Sequence, residues 1–154
     1  MNKKIITVVI LAALIPAVVY AASPLFFNRT INEEIPVAKT DAAKETQNVV
    51  AMVSGNFVGV GDGIHNAEGT AKVLSLDDTK ILRLEDFKAT NGPDLYVYLA
   101  TDEKATDYVS LGPLKANIGN QNYQIPEGTD LSKYDTALVW CKQFSVLFGH
   151  ASLS

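Results

Sequence analysis

One cysteine and two histidines are the residues of this chain whose types could support redox or metal chemistry. They are Cys141, His65 and His150. Because Cys141 has no second cysteine to pair with, an exported chain would carry it as a free thiol, an intermolecular bridge or a ligand. A thiolate and two imidazoles are also the ligand types of a blue-copper site, which usually adds a weak axial methionine.

Other features of the sequence speak against a metal or haem centre. Met1 starts a hydrophobic segment and Met52 precedes the first predicted strand, so neither is placed as an axial ligand. The chain between Cys141 and His150 crosses a predicted strand, and no C-x-x-C-H haem attachment motif is present. The sequence therefore indicates no cofactor strongly. Copper held by Cys141, His65 and His150, and haem held by the two histidines, stay open as alternatives.

Cys141 also has a purely structural interpretation. It lies in a predicted strand beside Trp140, and strand alternation places it on the face of Val139 and Ala137. Free cysteine is among the most buried residue types, so Cys141 could simply pack in a core. Reactivity would require a nearby cation or metal to favour the thiolate, and the adjacent Lys142 should point to the opposite face.

The segment that must position these residues is predicted to form β-strands. All ten glycines fall between Gly55 and Gly149 and separate short apolar runs, the pattern of an all-β sandwich or barrel. Leu82 and Leu84 alternate with Arg83 and Glu85, which predicts one buried and one solvent-exposed face. The candidate strands lie at 57–60, 70–76, 79–87, 95–99, 123–125, 137–141 and 144–148, with one helical turn at 130–134 capped by Asp130. We therefore predict an antiparallel β-sandwich of about seven or eight strands.

A turn at Asn91-Gly92-Pro93-Asp94 precedes the most apolar strand, residues 95–99. Pro93 fixes its own φ and disfavours the α region for Gly92, so a sharp turn is expected. Asp94 either caps a backbone amide of this turn or projects from the start of the strand. The candidate binding residues are Asp94, Tyr96 and Trp140, since aromatic side chains are favoured at interfaces when exposed. Core packing is the competing interpretation of Tyr96 and of two further tyrosines, Tyr98 and Tyr123.

Three regions are predicted along the chain. Residues 1–22 contain Lys3 and Lys4 followed by an uncharged run at 5–22, which is long enough to span a membrane and longer than most signal-peptide cores. We expect an anchor or a cleaved signal peptide, then a flexible linker at 23–49 without periodicity, then a folded domain at 50–154. In both cases the folded domain is expected on the extracytoplasmic side. The protein would be a single-pass protein of the cell membrane, or a secreted protein if residues 1–21 are cleaved.

Charge and motif content exclude several classes of function. The net charge is −4, and without Lys3 and Lys4 it is −6, with no basic stripe, so a nucleic-acid partner is not expected. No nucleophile elbow, phosphate loop or H-E-x-x-H zinc motif is present, so a conventional enzyme is the least supported class.

Taken together, the motifs of residues 50–153 resemble the DM-thirteen domain family, small exported modules often found beside DOMON domains. They are Gly55-Asn56-Phe57, His65 followed by Gly69, Leu84-Glu85-Asp86-Phe87, Asn91-Gly92-Pro93-Asp94-Leu95-Tyr96-Val97-Tyr98-Leu99, Leu111-Gly112-Pro113-Leu114-Lys115, Gly119-Asn120-Gln121-Asn122-Tyr123, Ile125-Pro126, Val139-Trp140-Cys141 and Phe144-Ser145-Val146-Leu147-Phe148-Gly149. The resemblance implies a β-sandwich-like fold. It also implies a redox or electron-transfer role in which Cys141, the cysteine after the tryptophan, is the reactive group.

Two hypotheses of function follow. In the first, the chain is a redox carrier or thiol switch that uses Cys141, with a partner protein or a bound cofactor. In the second, it is a binding or adhesion module in which Cys141 only packs. The resemblance favours the first.

Overall fold

A computed structural model describes residue 10 and residues 12–16, 27–36, 50–76 and 79–154. Within them the chain forms nine strands in two antiparallel sheets, so the predicted all-β sandwich is confirmed. The strands are β1 (Val50–Asn56), β2 (Val58–Gly59), β3 (Ala67–Leu76), β4 (Thr79–Ala89), β5 (Leu95–Ala100), β6 (Tyr108–Pro113), β7 (Gln121–Ile125), β8 (Thr136–Cys141) and β9 (Val146–Ser152).

The strand order places β5 and β8 in the interior of the larger sheet. One sheet has the order β1-β3-β4-β7 and the other β2-β9-β8-β5-β6. The main core lies between the two sheets and takes alternate residues from most strands, including Leu82 and Leu84 of β4 and Val97 and Leu99 of β5. The apolar run at 95–99 therefore is a central strand, as its composition predicts.

Two strands and one boundary differ from the sequence prediction. β1 and β6 have no predicted counterpart, because their side chains are half-buried or exposed and lack a continuous apolar face. The strand predicted at 144–148 begins two residues later, since residues 142–145 form a turn in which Ser145 has φ 53°. Asp130 accepts a hydrogen bond from the Ser132 amide at 3.0 Å, consistent with its predicted capping role.

Residues 27–36, which we call the strap, lie against the domain and differ from the free linker expected at 23–49. The amide of Ile31 donates to the Ile118 carbonyl at 3.0 Å, and that of Glu33 donates to the Asn120 carbonyl at 2.9 Å. The Glu33 carboxylate accepts hydrogen bonds from Lys115 at 2.8 Å and from the Asn122 amide at 2.7 Å. Polar groups rather than an apolar stripe hold the strap, which is why hydrophobic periodicity did not indicate it.

Arg83 corrects the prediction that one face of β4 is exposed to solvent. Leu82 and Leu84 are buried as expected, but Arg83 is also buried, at 5% exposure. Its guanidinium donates to Glu85 at 2.8 Å, to Asn122 at 2.8 Å and to the Glu33 carbonyl at 3.1 Å. The face of β4 that carries Arg83 is thus covered by β7 and the strap, although its charged residues had indicated a solvent-exposed face.

The predicted anchor at 5–22 falls mostly outside the described residues. Residues 12–16 are helical, and no helix among the residues that the structure describes is long and apolar enough to cross a membrane.

Candidate functional site

Cys141 occupies the last position of β8, where the strand leaves the sandwich. It pairs with Leu95 of β5 on one side and with Val146 of β9 on the other. Its side chain faces the main core together with those of Val139 and Ala137, so the predicted face is confirmed. Only 1% of Cys141 is exposed to solvent.

A cavity of about 270 Å³ adjoins Cys141 at this end of the sandwich. Three connections meet there: the loop after β2, the turn before β5 and the turn between β8 and β9. The wall is mainly apolar, with one imidazole and one thiol, and consists of Ile64, His65, Asn91, Gly92, Pro93, Cys141, Phe144, Val146 and Phe148. Cys141 is therefore a core residue that also borders a small chamber.

Asp62 orients His65 in the wall of this cavity. Its carboxylate lies 2.6 Å from His65 Nδ1 and accepts the amides of His65 at 2.7 Å and Ile64 at 2.9 Å. Hydrogen bonds from the His65 backbone and ring, and then from the Ile64 backbone, lower the pKa of Asp62 to about 2. Asp62 is thus an anion at neutral pH, and its contact with Nδ1 orients the His65 ring.

Phe148 fixes the other side of the imidazole. The two rings meet edge to face with their centroids 4.6 Å apart. With Nδ1 engaged by Asp62, Nε2 is the ring nitrogen left to accept a proton, and no hydrogen-bond partner for it occurs among the described residues. The Cys141 thiol and the oriented His65 imidazole border the same cavity, and no hydrogen bond joins them among the described residues.

His150 lies on the opposite face of the same sheet from Cys141. In β9 it pairs directly with Leu138, whose side chain belongs to the separate cluster on the outer surface of β5 and β8. Its Nε2 is 3.1 Å from Glu103, and its buried Nδ1 has no hydrogen-bond partner within the part of the chain that the structure describes. The structure therefore brings His65 and Cys141 together and does not bring His150 to them. Over the described part of the chain, no group of three or more histidine, cysteine or acidic side chains is placed to hold a metal ion.

The three predicted binding residues occupy two places. Tyr96 and Trp140 are directly paired neighbours on the outer face of the larger sheet, where Lys142 Nζ lies 5.0 Å from the Tyr96 ring centroid. Asp94 borders a different cavity of about 450 Å³, and its carbonyl accepts a hydrogen bond from the Lys142 amide at 2.9 Å. The turn that contains Asp94 is thus tied to the turn after Cys141.

Tyr98 and Tyr123 are buried, in agreement with the core interpretation of these tyrosines. Tyr98 stacks on Tyr108 with ring centroids 4.2 Å apart, and burial, followed by the charge of Tyr108, raises the pKa of Tyr98 to about 12. Tyr123 belongs to the main core, and its hydroxyl donates to Gln121 at 2.8 Å.

Asp62, which orients His65, and Phe148, which lines the cavity, have roles that the sequence did not reveal. One signal was present for Asp62, because its spacing of three residues before His65 in a glycine-rich loop favours a local Asx-type contact. Phe148 gave no comparable signal, since its contact with His65 joins segments 83 residues apart in the chain.

Comparison with known families assigns this architecture to a class of protein. The family model described as "Electron transfer DM13" matches residues 57–153, and the chain belongs to this DM13, or DM-thirteen, family. The resemblance noted from the sequence motifs is thereby confirmed. Comparisons with curated proteins and with solved structures each gave no significant match.

Proposed function

We propose that this chain is a membrane-tethered, extracytoplasmic electron-transfer domain in which Cys141 is the redox-active group. The observation that carries the proposal is that Cys141 borders the same cavity as His65, the imidazole that Asp62 orients. The family description supplies the reaction class, electron transfer. The hydrophobic run at 5–22 supports the tether.

The chemistry follows from the single cysteine. His65 Nε2 accepts the thiol proton, and the Cys141 thiolate attacks one sulfur of a partner's disulfide. The partner's S–S bond breaks, a mixed disulfide forms, and the second partner sulfur leaves as a thiolate. Because Cys141 is the only cysteine, a second thiol must come from outside the chain to release the partner and restore the free thiol.

A binding module in which Cys141 only packs is the competing function. The observation that favours it is the near-complete burial of Cys141 within the main core. The two functions differ in one measurable property, because a packed thiol reacts only when the domain unfolds, whereas a redox thiol reacts through the cavity in the folded state.

Alkylation kinetics of the folded full chain with iodoacetamide test the proposal. We expect the alkylation rate of Cys141 to exceed the rate of global unfolding, measured as hydrogen exchange of the core amides of β8. We expect His65→Gln to slow the reaction at least about tenfold, since loss of a positioned base has effects of that order or larger. The matched control is His150→Gln, which removes the histidine on the opposite face and should leave the rate unchanged. If Cys141 were alkylated only at the rate of global unfolding in the unmodified chain and in both variants, it would be a packing residue instead.

A further inference from the structure

Three large apolar side chains surround the cavity end of the sandwich and are mostly exposed. They are Phe27 at 70%, Ile64 at 70% and Phe144 at 63%, and we call them the apolar rim. Ile64 and Phe144 border the Cys141 cavity, and Phe27 borders the second cavity. The two cavities lie on either side of the turn at 91–94, since both are lined by residues 91–93.

The strap fixes where the chain enters the domain. The Asn28 side-chain oxygen accepts hydrogen bonds from Asn117 at 2.9 Å and from Asn91 at 3.3 Å. The Arg29 amide donates to the Asn117 side chain at 2.6 Å. Phe27 is consequently held beside the turn before β5, and the strap runs from there along β7 toward the opposite end of the sandwich.

Chain length then determines which end of the domain faces the hydrophobic segment. The uncharged run ends at Ala22, five residues before Phe27. Five residues span at most about 18 Å even when fully extended. If residues 23–49 formed a free linker, the domain could take any orientation relative to the hydrophobic run. Because the strap is docked on the domain, only the five residues after Ala22 connect the two. The end that carries Phe27 must therefore lie near the end of the run.

We propose that the apolar rim is a lipid-facing surface that rests in the interfacial region of the bilayer. The inference rests on the membrane tether proposed above, and goes beyond it by assigning the orientation of the domain. Exposed aromatic and aliphatic side chains of this kind are favoured at the headgroup boundary. Asp62 and Asp94 lie at the same end, so the rim enters to headgroup depth and no further.

The opposite end of the sandwich also exposes apolar side chains, Val50 and Met52 of β1. Val50 pairs with Ser75 near the end of β3, one sandwich length from the turn at 91–94. The short connection from Ala22 enters at the other end, so these residues face away from the bilayer. It follows that the Cys141 cavity opens toward the membrane surface and that its reaction partners approach there.

Depth-dependent fluorescence quenching of the full chain tests this orientation. The chain is reconstituted in phosphatidylcholine vesicles whose acyl chains are brominated close to the headgroup. Phe144→Trp places a reporter in the rim, and Glu127→Trp places one in the exposed turn after β7 at the opposite end. Both substitutions are on exposed side chains, and both chains retain Trp140, so the unmodified chain supplies the background. Thermal unfolding confirms that each variant is folded.

We expect the tryptophan introduced at position 144 to lose about half or more of its added fluorescence in brominated vesicles, and that at position 127 to lose none. Quenching at position 127, or at neither position, in a chain that resists alkaline extraction would overturn the orientation and leave the tether intact. Release of the chain by alkaline extraction would overturn the tether and the orientation together. The redox role of Cys141 is decided separately, by the alkylation kinetics above.

Discussion

Asp62 illustrates how an exposed carboxylate can have a defined role when its partners are local. Its three hydrogen bonds all come from Ile64 and His65, and they hold the loop in the shape that points the imidazole into the cavity wall. The same loop contains Gly61 and Gly63, both at φ +77°, which give the chain the conformations that this tight contact needs. The orientation of His65 is therefore set within five residues of the sequence.

The titration of Asp62 provides the first prediction. Its pKa in the folded chain, about 2, is below the ordinary value of 3.8. The stabilisation that it provides is thus complete above about pH 4 and is lost as the pH falls through 2. A pH titration of the side-chain carboxyl carbon by NMR should give a midpoint near 2. A midpoint near 3.8 would mean that the contact with His65 does not form in solution.

Arg83 provides the second prediction, on stability. Hydrogen bonds from Lys72 and then Arg83 lower the pKa of Glu85, and Arg83 also bonds to Asn122 and the strap. Arg83→Ala removes one partner of a largely buried network and should lower the free energy of unfolding by about 2–4 kcal/mol.

The matched control for Arg83 is Lys88→Ala. Lys88 lies on the same strand as Arg83 and pairs with Glu68 of β3 at 3.3 Å, but both side chains are more than half exposed. Such a pair contributes at most about 1 kcal/mol. Equal losses in the two variants, measured by urea unfolding, would contradict the buried network.

The strap depends on a glycine in the segment before β7. Gly119 has φ +103°, and a Cβ at this position would lie 2.0 Å from the Ile31 carbonyl oxygen. Only a glycine allows the strap to approach this closely. Residues 27–36 lie outside residues 57–153, the segment that the family model matches.

Substitution of Gly119 gives the third prediction. Gly119→Ala should destabilise the fold by about 1–3 kcal/mol and, more specifically, increase amide hydrogen exchange at Ile31 and Glu33. Gly112→Ala is the control, since Gly112 has a similar φ of +111° but no atom within 4 Å of its Cβ position. That variant should lose stability through backbone strain alone and keep the strap amides protected. Increased exchange in both variants would mean that the strap does not depend on Gly119.

The elements show which parts of the structure the sequence could predict. Alternation placed Cys141 correctly with Val139 and Ala137, because a buried strand between two others has one clear apolar face. The strap was not predictable in this way, since its contacts are polar and join residues 89 positions apart. The separation of His150 from Cys141 depends on a register shift between Val139 and Trp140, which a period-two pattern cannot reveal.

At the scale of the whole molecule, Cys141 and the apolar rim lie at the same end of the sandwich. The turns at 61–66, 91–94 and 142–145 meet around Cys141, and the strap begins beside them. An electron-transfer domain held in this way would present its thiol to partners at the membrane surface. The tether would limit which partners reach Cys141, and the apolar cavity wall would exclude water from the thiol.

Thiol–disulfide exchange between the folded full chain and glutathione disulfide, followed by intact mass, tests the role of Cys141 most directly. We expect one glutathione adduct per chain, formed faster than the domain unfolds, reversed by a reducing agent and absent in Cys141→Ala. An adduct that forms only at the rate of global unfolding would contradict a redox role and would make Cys141 a packing residue of the core.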